Sequence, residues 1–94
     1  MDYHVEEKDE YFILIENEKS RVKEQILDAF ISMRKLKGIT QQEVAEKTGI
    51  KRTNIARIES GRYVPTIEVL VKLANALDME LEIRLKDKEN NCER

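Results

Sequence analysis

Three glycines do most to limit what this chain can fold into: Gly38, Gly49 and Gly61 divide its middle into stretches of about ten residues. A residue without Cβ enters the left-handed conformation cheaply, so each glycine is a natural stop for a short helix. Ahead of Gly38, the span Ser20 to Lys37 sets Val22, Ile26, Ala29, Phe30, Met33 and Leu36 at spacings of three and four, which predicts an amphipathic helix. Thr40-Gln41-Gln42-Glu43 has the form of a capping box and opens a second helix over about Gln41 to Thr48. Gly49 supplies a tight turn, and Lys51 to Ser60 forms a third helix with Ile55 and Ile58 inward. The only proline, Pro65, precedes a Thr66 N-cap, and Ile67, Leu70, Val71, Ala74 and Leu77 mark the stripe of a fourth helix.

After Leu77 the period changes from 3.6 to 2. Met79, Leu81, Ile83 and Leu85 alternate with Glu80, Glu82, Arg84 and Lys86, the pattern of a half-buried strand. Tyr11 to Ile15 is a second, shorter strand candidate, an aromatic and β-branched run between acidic flanks. A lone strand leaves its backbone groups unpaired, so these segments are expected to pair with each other, with a symmetry mate or with a partner protein. The expected fold is mainly α, with four or five helices, a C-terminal β-strand and a short N-terminal strand candidate. It divides into an acidic arm over 1–19, a helical domain over 20–78 and a strand with charged tail over 79–94. With 94 residues there is apolar surface for one core only.

The net charge of −2 argues at first against a polyanionic partner, but the charge is unevenly placed. Residues 1–19 carry two lysines against seven carboxylates, whereas residues 34–63 carry eight basic residues against three glutamates. The basic eight are Arg34, Lys35, Lys37, Lys47, Lys51, Arg52, Arg57 and Arg62. A single cysteine, Cys92 in the polar tail, excludes an internal disulfide and suits a thiol-reducing, cytoplasmic setting. The opening MDYHVEEKDE lacks a basic n-region, and no run approaches the roughly 18 apolar residues of a membrane span. The chain is therefore expected to be soluble, with no membrane partner.

Two short helices joined by a glycine turn, the second with an outward polar face, are the parts of a helix-turn-helix. Thr40 to Gly61 reads TQxEVA on the first of the pair and IxRIExG at the end of the second, and Pro65 to Leu77 reads PTxxxLxxLAxAL. Together these motifs closely resemble the lambda repressor/Cro-like (Xre) helix-turn-helix family over about residues 22 to 78. The resemblance implies a sequence-specific DNA-binding transcriptional regulator, a repressor, with the helix Lys51 to Ser60 in the major groove. It places Arg52, Thr53 and Arg57 at base-reading positions, with Asn54 at their edge. It makes the start of the second helix, with Gln41, a phosphate clamp, and Lys51, Ser60, Arg62 and Tyr63 flanking phosphate contacts. Arg34 and Glu59 stand where relatives carry an ion pair. Two departures are visible: Asp78 occupies a position that is often glycine, and the strand Met79 to Leu85 replaces the fifth helix of many relatives. The second departure looks like HigA-type antitoxins, whose flanking elements capture a toxin protein.

Blander readings fit the remaining polar residues. His4, the only histidine, lies in an acidic arm and reads as a solvated side chain rather than a metal ligand, and Cys92 as an inert thiol. With no Ser/His/Asp set, no glycine-rich phosphate loop and no ligand cluster, no cofactor and no catalysis are expected. The partners implied are double-stranded DNA and a second copy in a homodimer, since one helix-turn-helix makes too few contacts for tight specific binding. A toxin protein is the partner under the alternative, antitoxin reading.

Overall fold

From residue 2 to residue 37 the chain has neither glycine nor proline, and the result is one unbroken helix, α1 (Asp2–Leu36). The computed structural model describes the backbone of residues 2–88 and the side chains of residues 9–88. At about 1.5 Å per residue, the 35 residues of α1 reach the molecule's longest dimension, 52 Å. Gly38, at φ 70°, ends the helix, and the Ile39 amide donates back to the Arg34 carbonyl at 3.0 Å. Three short helices follow: α2 (Gln41–Thr48), α3 (Arg52–Glu59) and α4 (Ile67–Ala76). Thr66 caps α4 by accepting from the Val69 amide at 3.2 Å. Asp78 closes the C-terminal turn of α4 at φ 61°, in the left-handed region that aspartate tolerates better than most residues.

Two expectations are corrected here. Tyr11 to Ile15 is not a strand; it lies within α1, which begins well before Ser20. The physical reason is that an isolated strand satisfies none of its backbone groups, whereas a helix satisfies its own. The charged flanks are good helix formers and link along the helix surface, Lys19 to Glu16 at 3.1 Å and Arg21 to Glu18 at 2.8 Å. The second concerns Met79 to Leu85: among the described residues no strand forms. The Met79 amide donates to the Ala74 carbonyl at 2.9 Å, and residues 80–87 then find no backbone partner among them. The alternating pattern is present, but a ladder needs a second strand and the described residues supply none. The segment lies along α1, with Met79 and Leu81 lining a cleft beside Ile26, Phe30 and Met33. Its end approaches the middle of that helix, where the Glu18 carboxyl is held below its ordinary range by the hydrogen bond and charge of Arg21, with a smaller effect from Lys88. The side chain of His4, and Cys92, lie outside the described residues.

The core joins one end of α1 to the three short helices. Leu27, Phe30, Val44, Ala45, Ile55, Ile58, Leu73, Ala76 and Leu77 are buried together, and Val44, Ile55 and Ile58 have no exposed surface. The apolar stripes expected on the first and fourth helices meet this core in part, through Phe30 and Leu77. Val22 and Leu36 on α1, and Ile67 and Val71 on α4, are exposed, while Leu27 and Leu73 are buried in their place. Both helices carry apolar residues around more than one face, so periodicity alone leaves the buried face open.

Truncating Ile58 to alanine removes atoms from a site with no exposed surface, and the expected loss of unfolding free energy is about 2–5 kcal/mol. Leu36→Ala, at a largely exposed position, is expected to change stability by about 0.5 kcal/mol or less. Urea denaturation of the two variants beside the parent measures the contrast.

Candidate nucleic-acid interface

The pair α2 and α3 is built from local chemistry. The Thr40 amide donates to Glu43 Oε1 at 2.8 Å, and the Glu43 amide donates to Thr40 Oγ1 at 3.0 Å, so two free amides at the start of α2 are satisfied reciprocally. Gly49, at φ 79°, ends the helix and donates its amide to the Ala45 carbonyl at 2.8 Å. The Thr48 hydroxyl holds the turn from both sides: it donates to the Val44 carbonyl at 2.8 Å and accepts from the Ile50 amide at 3.1 Å. Lys51 then enters α3 from an extended conformation, φ −61° and ψ 142°. Ile55 and Ile58 turn one side of α3 into the core, which leaves Thr53, Arg57 and Ser60 on the opposite side at helical spacing.

Arg52, Thr53 and Arg57 are exposed, and Asn54 is half-buried. Lys51, Ser60, Arg62 and Tyr63 are exposed around the two ends of α3. The Ser60 hydroxyl already donates to the Arg57 carbonyl at 2.8 Å, which leaves its oxygen as an acceptor. Gln41 is half-buried, and its side-chain amide donates to Glu59 Oε1 at 2.9 Å.

Glu59 is the junction beneath this surface. Arg34 Nε stands 2.7 Å from Glu59 Oε2 and Nη2 3.1 Å from Oε1, a forked contact between the end of α1 and the end of α3. Arg34 Nη1 also donates to the Ile39 carbonyl at 2.9 Å. The two side chains are 10% and 9% exposed, so the pair is largely withdrawn from water. Among the described residues no buried side-chain nitrogen or oxygen lacks a hydrogen-bond partner.

Seven of the eight basic residues read from the sequence divide into two groups, and the eighth, Lys35, is exposed near the end of α1. Arg34 serves Glu59, while Lys37 Nζ donates to the Leu77 carbonyl at 2.7 Å and Lys47 Nζ to the Ala76 carbonyl at 3.3 Å. Both carbonyls lie at the C-terminus of α4, where a helix leaves acceptors unpaired and carries negative partial charge. Lys51, Arg52, Arg57 and Arg62, by contrast, make no side-chain hydrogen bond to another described residue, and all four surround α3. Sequence reasoning also missed Lys23, whose ammonium donates to the Gly61 carbonyl at 3.0 Å across 38 residues of chain. No local pattern could have revealed a partner so distant. No described helix is long and apolar enough to cross a membrane.

The family described as Helix-turn-helix matches residues 31–83. The chain is similar to an HTH-type transcriptional regulator of Methanothermobacter thermautotrophicus, 43% identical over 47 residues, a stretch covering 50% of this chain and 68% of that protein. It is similar to the cryptic phage CTXphi transcriptional repressor RstR of Vibrio cholerae, 37% identical over 57 residues, covering 61% of this chain and 51% of RstR. It is also similar to the HTH-type transcriptional regulator YqaE of Bacillus subtilis, 39% identical over 57 residues, covering 61% of this chain and 49% of that protein. The chain thus spans only about half the length of the last two. No solved structure matches it.

Because Glu59 has partners on both α1 and α2, removing either end of the buried pair strands a charge. Arg34→Ala and Glu59→Ala are each expected to lower stability by about 3–5 kcal/mol, and Arg34→Lys to recover only part, since an ammonium cannot reproduce the fork. Thermal unfolding followed by circular dichroism measures all three.

Proposed function

The chain belongs to the helix-turn-helix family, in its lambda repressor/Cro-like (Xre) branch, and from that premise we propose that it is a sequence-specific repressor binding DNA as a homodimer. The observation that carries the reading is the surface of α3: Arg52, Thr53 and Arg57 are exposed on a helix anchored by Ile55 and Ile58, and no described residue neutralises its cations. The B-DNA major groove is about 12 Å wide, admits an α-helix and displays a distinct donor and acceptor pattern for each base pair.

In this reading Arg52 and Arg57 take guanine O6 and N7, with Thr53 and Asn54 contributing polar contacts to base edges. Lys51, Ser60, Arg62 and Tyr63 contact phosphates on either side and set the register. Gln41 contributes its backbone amide and the remaining side-chain N–H to a phosphate, while its other N–H stays with Glu59. Repression is the regulatory sign of the RstR relative. Two copies place two α3 helices in successive major grooves, with half-sites about one helical turn apart. The need for a second copy agrees with the apolar surface that this chain leaves open, including Tyr11, Phe12, Ile83 and Leu85.

A second reading, an antitoxin of the HigA type, draws on part of the same surface. Tyr11, Phe12, Ile13 and Leu14 are about half exposed or more on the outer part of α1, beyond the helix-turn-helix, and could seat a toxin while α3 autoregulates the operon. Stoichiometric co-purification with the product of an adjacent gene, lost on Phe12→Glu, is the outcome that would favour it.

Binding selection with the purified protein, repeated on variants, tests the DNA reading. Arg52→Ala is expected to relax base preference at one position, at a cost of about 1–3 kcal/mol on the preferred sequence. Lys51→Ala is expected to weaken all sequences alike and to lower the slope of log affinity against log salt by about one. Binding indifferent to both salt and sequence would overturn the proposal.

A further inference from the structure

We infer that residues 80–86 are where two copies of this chain join, as an antiparallel two-stranded ladder centred on Ile83. The inference rests on the homodimeric reading above and assigns that dimer its interface. The segment leaves α4 at Asp78, and its backbone groups from residue 80 to residue 87 have no backbone partner among the described residues. Arg84 Nε reaches Glu82 Oε2 at 3.4 Å, so side chains two apart share one side, as they do in a strand.

Charge order identifies the occupant. On the even-numbered side the residues run Asp78, Glu80, Glu82, Arg84, Lys86, Lys88: three acids followed by three bases, with reversed sign about position 83. If a second copy runs antiparallel with Ile83 opposite Ile83, Glu82 faces the partner's Arg84 and Glu80 the partner's Lys86. Each of these charges then has an opposite charge directly across from it, the arrangement that stabilises cross-strand pairs. Other registers fail. Centring on residue 82 opposes Glu82 to itself, and centring on residue 84 opposes Arg84 to itself. An in-register parallel pair sets each charge against its own kind, and a slip by one residue puts apolar side chains opposite charged ones.

The odd-numbered side fits the same register. Leu81 is half-buried over the cleft formed by α1 and α4, whose walls include Ile26, Phe30 and Leu70. Leu85 is 100% exposed and Ile83 62% exposed. In the ladder Leu85 lies opposite the partner's Leu81, so it extends the apolar cover towards the partner's cleft, and the two Ile83 side chains meet at the twofold axis. A two-stranded ribbon alone is marginal in water, and these apolar contacts supply what the backbone bonds lack.

Two single-sign variants test the interface on the full chain. Glu80→Lys with Glu82→Lys makes the side basic, and Arg84→Glu with Lys86→Glu makes it acidic; all four positions are exposed, and circular dichroism verifies that the helices persist. By sedimentation, each variant alone is expected to dissociate about tenfold more readily than the parent, and an equimolar mixture to restore the dimer as a heterodimer. Ile83→Cys in a Cys92→Ser background is expected to cross-link to itself on mild oxidation, because facing strand residues lie within disulfide reach, whereas Glu82→Cys in that background is not. If the parent is a dimer and both single-sign variants remain equally tight, or Ile83→Cys fails to cross-link, this interface is wrong and the dimer stands. If the parent is monomeric at micromolar concentration, the homodimeric reading falls with it.

Discussion

The carboxylate of Glu59 is the point on which the arrangement of the helices depends. It receives two N–H groups from Arg34 on α1 and one from Gln41 on α2, while lying at the last residue of α3. A charge in so dry a place is tolerated only when its acceptor sites are filled, so the three helix ends are held in one geometry. The apolar core fixes which side of α3 faces inward. The polar junction fixes where α3 ends relative to α2. A surface that reads base edges needs both, since hydrogen bonds to bases require donors placed to within a fraction of an ångström.

Positive charge in this chain serves two purposes at different depths. Arg34 is offset by a carboxylate within the fold, which reduces its contribution to long-range attraction for a polyanion, whereas Lys37 and Lys47 brace two helix-terminal carbonyls and keep their charge. Lys51, Arg52, Arg57 and Arg62 have no side-chain partner among the described residues and surround the helix proposed to enter the groove. The chain as a whole is slightly acidic, so the local grouping of these four matters more than the net charge.

What was legible in the sequence was what neighbouring residues decide among themselves. The Thr40 capping box, the left-handed glycines at 38, 49 and 61, the inward Ile55 and Ile58, and the turn at Asp78 all follow from interactions within a few residues, and all are present. The rest depended on partners distant in the chain. Tyr11 to Ile15 has strand composition, yet without a neighbouring strand the helix prevails. The alternating segment after Asp78 carries the pattern of a strand with nothing among the described residues to pair against. Leu27 and Leu73 join Phe30 and Leu77 of the expected stripes in the core, while Val22, Leu36, Ile67 and Val71 stay exposed, because the core selects among several apolar faces. At the candidate interface the exposure of Arg52, Thr53 and Arg57 was readable from helical spacing. The use of Lys37, Lys47 and Lys23 as braces to distant carbonyls was not.

The length of α1 has a thermodynamic consequence. Only its last third enters the core; Ile15, Glu18 and Val22 line a cleft with Val64, Pro65 and Leu70, whereas from Asp9 to Leu14 the side chains are exposed and the helix is held by its own backbone bonds. A helix without tertiary packing is marginal in water, so opening free energies along α1 should fall towards the N-terminus and amide hydrogens there should exchange first. Anything that covers Tyr11 to Leu14 binds the helical form and not the coil, which makes helix content in this region a function of occupancy. Were a partner to cover this stretch, the exchange protection of the outer part of α1 would rise with its occupancy.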